Sequence, residues 1–170
     1  MPRPGFRRER AGQRGAVTAP PPVDRPRHDR RRLLLSGLLL GLGGAGAVDE
    51  IVFHQLLHWH HFYDRSSGTA GLVSDGLLHA ATWSATVAGL ALLADVRRRT
   101  AFAPVRWWGA VLVGAGAFQT WDGVVQHKLL RLHQVRYGVD LTGYDVAWTG
   151  AGLLVLLAGV VLLRRDRTTA

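Results

Sequence analysis

The stretch Asp49–His61 reads Asp-Glu-Ile-Val-Phe-His-Gln-Leu-Leu-His-Trp-His-His and holds four of the chain's eight histidines beside two acids. It has a second copy. Asp49-x4-His54-x-Leu-Leu-x2-His60 matches Asp122-x4-His127-x-Leu-Leu-x2-His133, and each copy is followed by an acid opening the next apolar run, Asp75 and Asp145. The chain has no cysteine, which excludes disulfides, thiolate metal sites and cysteine nucleophiles. A metal held here takes nitrogen and oxygen ligands, and neutral imidazole suits zinc, copper or iron. Two other chemistries use the same residues. One is axial ligation of haem by His54 and His127; the other is proton transfer through Asp–His pairs, since imidazole titrates near neutrality.

Helical geometry sorts these residues into partners. At 100° per residue, His54 and His58 are neighbours one turn apart, a spacing that suits two ligands of one ion. Glu50 lies one turn before His54 on the same stripe, and His61 two turns beyond it. Asp49 and His60 share a face but stand about 16 Å apart along a continuous helix, so they are not expected to share an ion. The same holds for Asp122 and His133. The expected metal ligands are His54, His58, His61, His79 and His127, with Asp49, Asp75, Asp122, His60, His133 and Asp145 orienting them. Each residue also has a plainer role. His60 and His61 can be solvated at a helix end, and His79 can simply bond Asp49 or Asp122. Trp59, Trp83, Trp121 and Trp148 suit an interfacial belt. The two copies agree at Asp49, His54 and His60 but not at His58 (Arg131) or His61 (Gln134). The repeated positions are the better candidates for a role shared by both halves, and His58 and His61 for an asymmetric one.

The elements that position the cluster follow from composition. Mean hydropathy is +0.08, an average over a basic head and an apolar body. The first 32 residues hold ten of the 21 Lys+Arg and six of the seven prolines. Such a segment cannot bury apolar surface, so 1–31 is expected to be a disordered Arg/Pro-rich cytoplasmic tail that lies against anionic headgroups. The net charge of +9 sits in this tail and at helix ends, not on a folded aromatic–basic surface, so nucleic acid is not an expected partner. Residues 32–165 form an all-α, integral membrane four-helix bundle, with spans at about 33–60, 75–96, 105–131 and 145–164, each long enough for a hydrocarbon core of ~30 Å. Arg30 to Ala47 also has the shape of a signal peptide, but the apolar pattern continues to Leu57 and cleavage is not expected. Ser74 or Asp75 is a fair N-cap for the second span. Arginines crowd the tail, the 97–106 loop and the C-terminal flank, so both termini are expected to be cytoplasmic, in a plasma membrane. His54 and His127 lie roughly 33 Å along their helices from Arg32 and Arg106, at the outer edge of the hydrocarbon. Seven histidines and five acids gather in that slab. The repeated halves make two parallel-repeat helical hairpins, related by an axis along the membrane normal.

At Asp49-x-Ile-Val-x-His54-Gln-Leu-Leu-x-Trp-His60-His61, Asp75-Gly-Leu-x-His79, Asp122-Gly-x-Val-x-His127, His133-x-Val-Arg136 and Tyr144-Asp145, the chain resembles an uncharacterised bacterial four-span membrane protein family (domain of unknown function 2243). The resemblance covers about Leu33 to Leu163. Glu50 departs from it, standing where the family usually has Gly, as at Gly123. The resemblance implies a four-span architecture and no assigned activity. The leading functional expectation is a protein that binds a transition metal (Cu, Fe or Zn) or haem through the outer His/Asp cluster. The alternatives are a histidine-metal membrane oxidoreductase and a proton-linked transporter or channel. Expected partners are the lipid bilayer and either further copies of the chain or a respiratory complex.

Overall fold

A computed structural model describes residues 25–168. The expected tail falls outside these residues up to position 24, and from Arg25 onward it is already helix. The described chain is all-helical: α1 (Arg25–Asp49), α2 (Gly68–Arg98), α3 (Pro104–Trp121) and α4 (Thr142–Thr168), with π-helical segments Glu50–Leu56 and Asp122–Leu129 continuing α1 and α3.

The helix ends have local causes. Ser67 caps α2 by accepting a hydrogen bond from the amide of Ala70 at 3.3 Å, so α2 begins seven residues before the expected Asp75. Ser74 is not a cap; its hydroxyl donates to the carbonyl of Gly71. Asp75 therefore lies two turns inside α2 and is buried. Pro104 opens α3, where a missing N–H costs nothing.

The helices form a bundle in the order α2, α1, α3, α4. Helix α1 contacts α2 and α3, and α3 contacts α1 and α4, while α1 and α4 do not meet among the described residues. Helices α1 and α3 run side by side in the same direction through glycines. A Cβ on Gly41 would fall on the Val111 carbonyl, and one on Gly114 would fall on the Leu38 carbonyl. Only glycine lets the two backbones approach this closely. Arg32 ties α1 to Asp95 of α2, and Arg106 ties α3 to Asp166 of α4 at 2.5 Å, both at the Arg-rich end.

Three stretches are long and apolar enough to cross a membrane: Arg27–Leu56, Gly68–Arg98 and Thr142–Asp166. Helix α3, expected as a fourth span, lacks that apolarity. It has neighbours on both sides and buries Gly109, Ala110, Gly114 and Gly116, so small residues stand where a lipid-facing helix carries leucine. Burial is inverted relative to a water-soluble domain. Leu77, Val146 and Leu154 are about 70% exposed, whereas Asp49, Glu50, His54, Asp75, Asp122, Gln126, His127 and His133 are each 1–2% exposed. Apolar side chains outside and ionisable ones inside are what a lipid solvent selects.

Candidate metal centre

The site is made by the way α1 and α3 end. In each π-helical segment the hydrogen bonds reach back further than in an α-helix. The Leu57 amide donates to Val52 at 2.9 Å and the Trp59 amide to Phe53 at 2.9 Å; the Leu130 amide donates to Val125 at 2.7 Å and the Leu132 amide to Gln126 at 2.9 Å. Then His58 (φ 51°) and Arg131 (φ 52°) adopt the left-handed conformation, which stops a helix and turns the chain. Both loops fold back over the helix ends, and they clasp one another: the Asp64 amide donates to the Leu132 carbonyl at 3.0 Å.

This reversal corrects the expectation that Asp49 and His60, and Asp122 and His133, are too far apart to share an ion. The distance of about 16 Å assumed an unbroken helix. In the folded chain, ligand atoms of Asp49, His54 and His60 all lie within 4.8 Å of one another, and His133 Nε2 is 3.5 Å from Asp122 Oδ1. The turn falls at His58 itself, so His58 does not follow His54 on a regular helix.

Four imidazoles form the centre, all buried. His60 and His133 stack, with centroids 4.6 Å apart and planes 7° from parallel. His54 meets His60 edge-on at 4.5 Å and His127 meets His133 edge-on at 4.6 Å. The outer nitrogens of the stacked pair are fixed reciprocally. His60 Nδ1–H donates to the Val135 carbonyl at 2.9 Å, and His133 Nδ1–H donates to the Phe62 carbonyl at 3.0 Å. A carbonyl can only accept, so Nδ1 carries a proton in each ring, and in the neutral form of the ring Nε2 carries the lone pair. Neither Nε2 has a hydrogen-bond partner among the described residues. Burial, reinforced by His133 and His54, pushes the His60 pKa down to about 2.

Carboxylates border the rings. Asp122 Oδ2 is 3.1 Å from His127 Nε2, and Asp122 is held by Gln126 Nε2–H at 3.0 Å and Trp148 Nε1–H at 2.9 Å. On the other side His54 Nδ1 faces Glu50 Oε2 at 2.8 Å and Asp75 Oδ1 at 3.0 Å, while its Nε2 lies 3.6 Å from Asp49 Oδ2. Asp75 also accepts from His61 Nδ1–H at 2.6 Å and from the Phe62 amide at 2.7 Å. Three close groupings have the composition of a metal site: His60, His127 and His133; Asp49, His54 and His60; and Glu50, His54 and Asp75.

The structure thus brings together His54, His127, Asp49, Asp75 and Asp122 with His60 and His133, which the sequence geometry had placed outside the ligand set. Among the described residues no such grouping includes His58, His61 or His79. His58 is exposed and lines, with His61 and Asp64, a small outer cavity of about 170 Å³ that reaches His60. His79 lies beside Trp83, and Asp145 is ion-paired to Lys128. Gln126 and Trp148 were missed as supports of Asp122. Gln126 carried a usable signal, since it stands one helical turn after Asp122.

A family model described as a predicted membrane protein (DUF2243) matches residues 36–166. The chain belongs to this family. The match takes in part or all of each of the four helices and every residue of the cluster, and the family's description adds no activity to the geometry. No curated protein and no solved structure matches the chain.

Proposed function

We propose that this membrane protein holds one transition-metal ion, Cu, Fe or Zn, between the Nε2 atoms of His60 and His133, a ring nitrogen of His127 and the carboxylate of Asp122. One observation carries the reading: the buried rings of His60 and His133 both commit Nδ1–H to a backbone carbonyl and leave Nε2 with no hydrogen-bond partner among the described residues. A histidine whose other nitrogen is fixed by a carbonyl is the usual form of a metal-bound imidazole. With the ring neutral on Nδ1–H, His133 Nε2 and Asp122 Oδ1 are two acceptors facing each other at 3.5 Å, an arrangement that a cation between them relieves. Metal–nitrogen bonds of 2.0–2.1 Å put tetrahedral donors ~3.3 Å apart; ligand atoms of His60, His127 and His133 lie within 4.8 Å of one another and Asp122 stands 3.1 Å from His127 and 3.5 Å from His133, so closing on an ion requires the stacked rings to turn out of their parallel arrangement. The expected haem pair has less support, because the stacked rings of His60 and His133 lie in the chain of contacts between His54 and His127.

A common ancestry of the two hairpins fits the same geometry. Gly41 against Val111 and Ala115 has a counterpart in Gly114 against Leu38 and Leu42. Gly43 against Thr82 and Thr86 has one in Gly116 against Gly152 and Leu156. The left-handed residues, His58 and Arg131, occupy matched positions. On this reading the centre sits on a local twofold axis at the outer face of a plasma membrane, with the Arg-rich ends cytoplasmic.

The test is metal analysis of full-length protein purified in detergent, before and after reconstitution with each of the three metals. About one ion per chain is expected in the wild type, and none in His133→Ala. Wild type that holds no metal after reconstitution overturns the proposal.

A further inference from the structure

Helices α1 and α4 both lean on α3, and their backbones do not come together among the described residues; between them runs a groove of about 610 Å³. That volume lies in the range of small-molecule sites, which are mainly apolar with a few placed polar groups. Its floor is small, formed by Gly41, Gly44, Ala45 and Ala115, and its outer end is aromatic, formed by Phe53, Trp59, Tyr144 and Trp148. These rings brace one another: Phe53 meets Trp148 edge-on at 4.7 Å and Trp59 meets Tyr144 edge-on at 5.7 Å. On the opposite side of the α1–α3 pair, the matching position carries a larger side chain. Phe118, the counterpart of Ala45 in the two-copy match, lies there against Gly46 and is buried. The two halves thus differ here, with alanine in one where the other carries phenylalanine.

A groove between spans invites a lipid chain, but two features ask for more. Asp49 lines the outer end, is 2% exposed, and its Oδ1 has no hydrogen-bond partner among the described residues. A buried carboxyl oxygen without a donor is costly, and an alkyl chain offers none. Tyr144, also lining the groove, accepts a hydrogen bond from Arg136 at 2.8 Å, so its own O–H remains to donate. An acceptor and a donor among aromatic side chains match a flat ring bearing oxygens, reached from the bilayer.

We infer that the groove between α1 and α4 binds a membrane-soluble quinol, its ring among Phe53, Trp59 and Trp148 and a ring hydroxyl donating to Asp49. The site takes its ligand laterally from lipid, and it stands whether or not the imidazoles hold a metal.

The experiment uses full-length protein in detergent and a decyl-substituted dimethoxy-methyl-benzoquinol as probe, followed by quenching of tryptophan fluorescence. Its bis-O-methyl ether, which keeps the ring and chain but cannot donate, is the second probe. The quinol is expected to bind at least tenfold tighter than the ether. Asp49→Leu is expected to erase that difference. Ala45→Phe, which copies the filled side, is expected to weaken both probes at least tenfold with metal content unchanged; Ala147→Leu gives the same reading if Ala45→Phe does not fold. Equal binding of quinol and ether to the wild type makes the groove a seat for acyl chains and overturns the inference. Unchanged quinol binding in a folded, groove-filling variant overturns it as well.

Discussion

Replacing Asp122 by Asn separates a metal centre from an ordinary buried ion pair, because the two readings predict opposite effects on the metal-free protein. In the metal reading the rings are neutral, and Asp122 presents lone pairs to His127 Nε2 at 3.1 Å and His133 Nε2 at 3.5 Å. Asparagine with its amide nitrogen at the Oδ1 position would give His133 Nε2 a donor. Gln126 can turn its own amide over to accept instead of donate, and Trp148 Nε1–H keeps the remaining oxygen. The exchange adds a hydrogen bond of about 1 kcal/mol and satisfies a buried lone pair. The metal-free variant should therefore melt no lower than wild type. Its metal affinity should fall, by about 100-fold for loss of a charged ligand, using the upper end of the penalty seen for groups around metal sites.

The assay is a thermal melt in detergent with chelator and then with added metal. At a free metal concentration 100 times the wild-type Kd, binding stabilises by about 2.7 kcal/mol, a rise of roughly 5–11 °C for a chain of this size. The variant, then near its own Kd, should gain only about 0.4 kcal/mol and roughly 1–2 °C. In the ion-pair reading, His127 and His133 are imidazolium ions and Asp122→Asn strands buried charge at about 3–5 kcal/mol. A metal-free variant that melts well below wild type, with the same response to metal in both, would falsify the metal-centre assignment.

The protonation of His60 gives a second outcome. Its folded pKa is about 2 against 6.5 in the unfolded chain, so below pH 6.5 the unfolded chain takes a proton that the folded chain refuses. Stability from this group is full above pH 6.5 and declines as pH falls towards 2; melts of metal-free protein should show that slope, and His60→Asn, which keeps a donor for Val135, should flatten it. Gly41→Ala should cost about 1–3 kcal/mol by overcrowding α1 against α3, because its Cβ lands on the Val111 carbonyl. Gly150→Ala, in open space on α4, should gain about 0.5–1 kcal/mol; equal melting of the two variants would count against the close contact. Reporter fusions after Arg98 and after Gly138 should report cytoplasmic and outer locations respectively, and the reverse result would move the cluster to the inner face.

The helices were legible because lipid demands long apolar runs and arginines mark their ends. Helix α3 was the hardest to rank, since a central helix needs glycine and alanine more than leucine. Legibility of the site stopped at Leu56 and Leu129. Up to those residues the helical angles hold, and the structure brings His54, His127, Asp49, Asp75 and Asp122 together, while Asp145 pairs with Lys128 instead. Beyond them the register widens into π-turns and the chain reverses at His58 and Arg131. Neither is glycine, so no residue type announced a left-handed turn. His60 and His133 were consequently placed 16 Å away from the acids they approach. The repeat carried the missing information: both copies keep these histidines and neither His58 nor His61 recurs.

The two halves also differ in a way that bears on how the cluster is used. Asp122 is held by Gln126 and Trp148, whereas Asp49 keeps an oxygen with no donor. The match pairs Gln126 with Phe53, so the first half substitutes an aromatic wall for an amide donor. Equivalent carboxylates are thereby given different surroundings: one fixed against two imidazoles, the other facing a groove open to lipid. If a metal and a quinol share this protein, Asp122 belongs to the metal and Asp49 to the quinol. His54 and the stacked pair His60–His133 then link the two across consecutive ring contacts of 4.5, 4.6 and 4.6 Å to His127. Losing metal through His133→Ala should leave quinol binding in place, and filling the groove through Ala45→Phe should leave the metal in place. Simultaneous loss of both in a folded variant would mean that the halves form a single site, and the division of roles would fail.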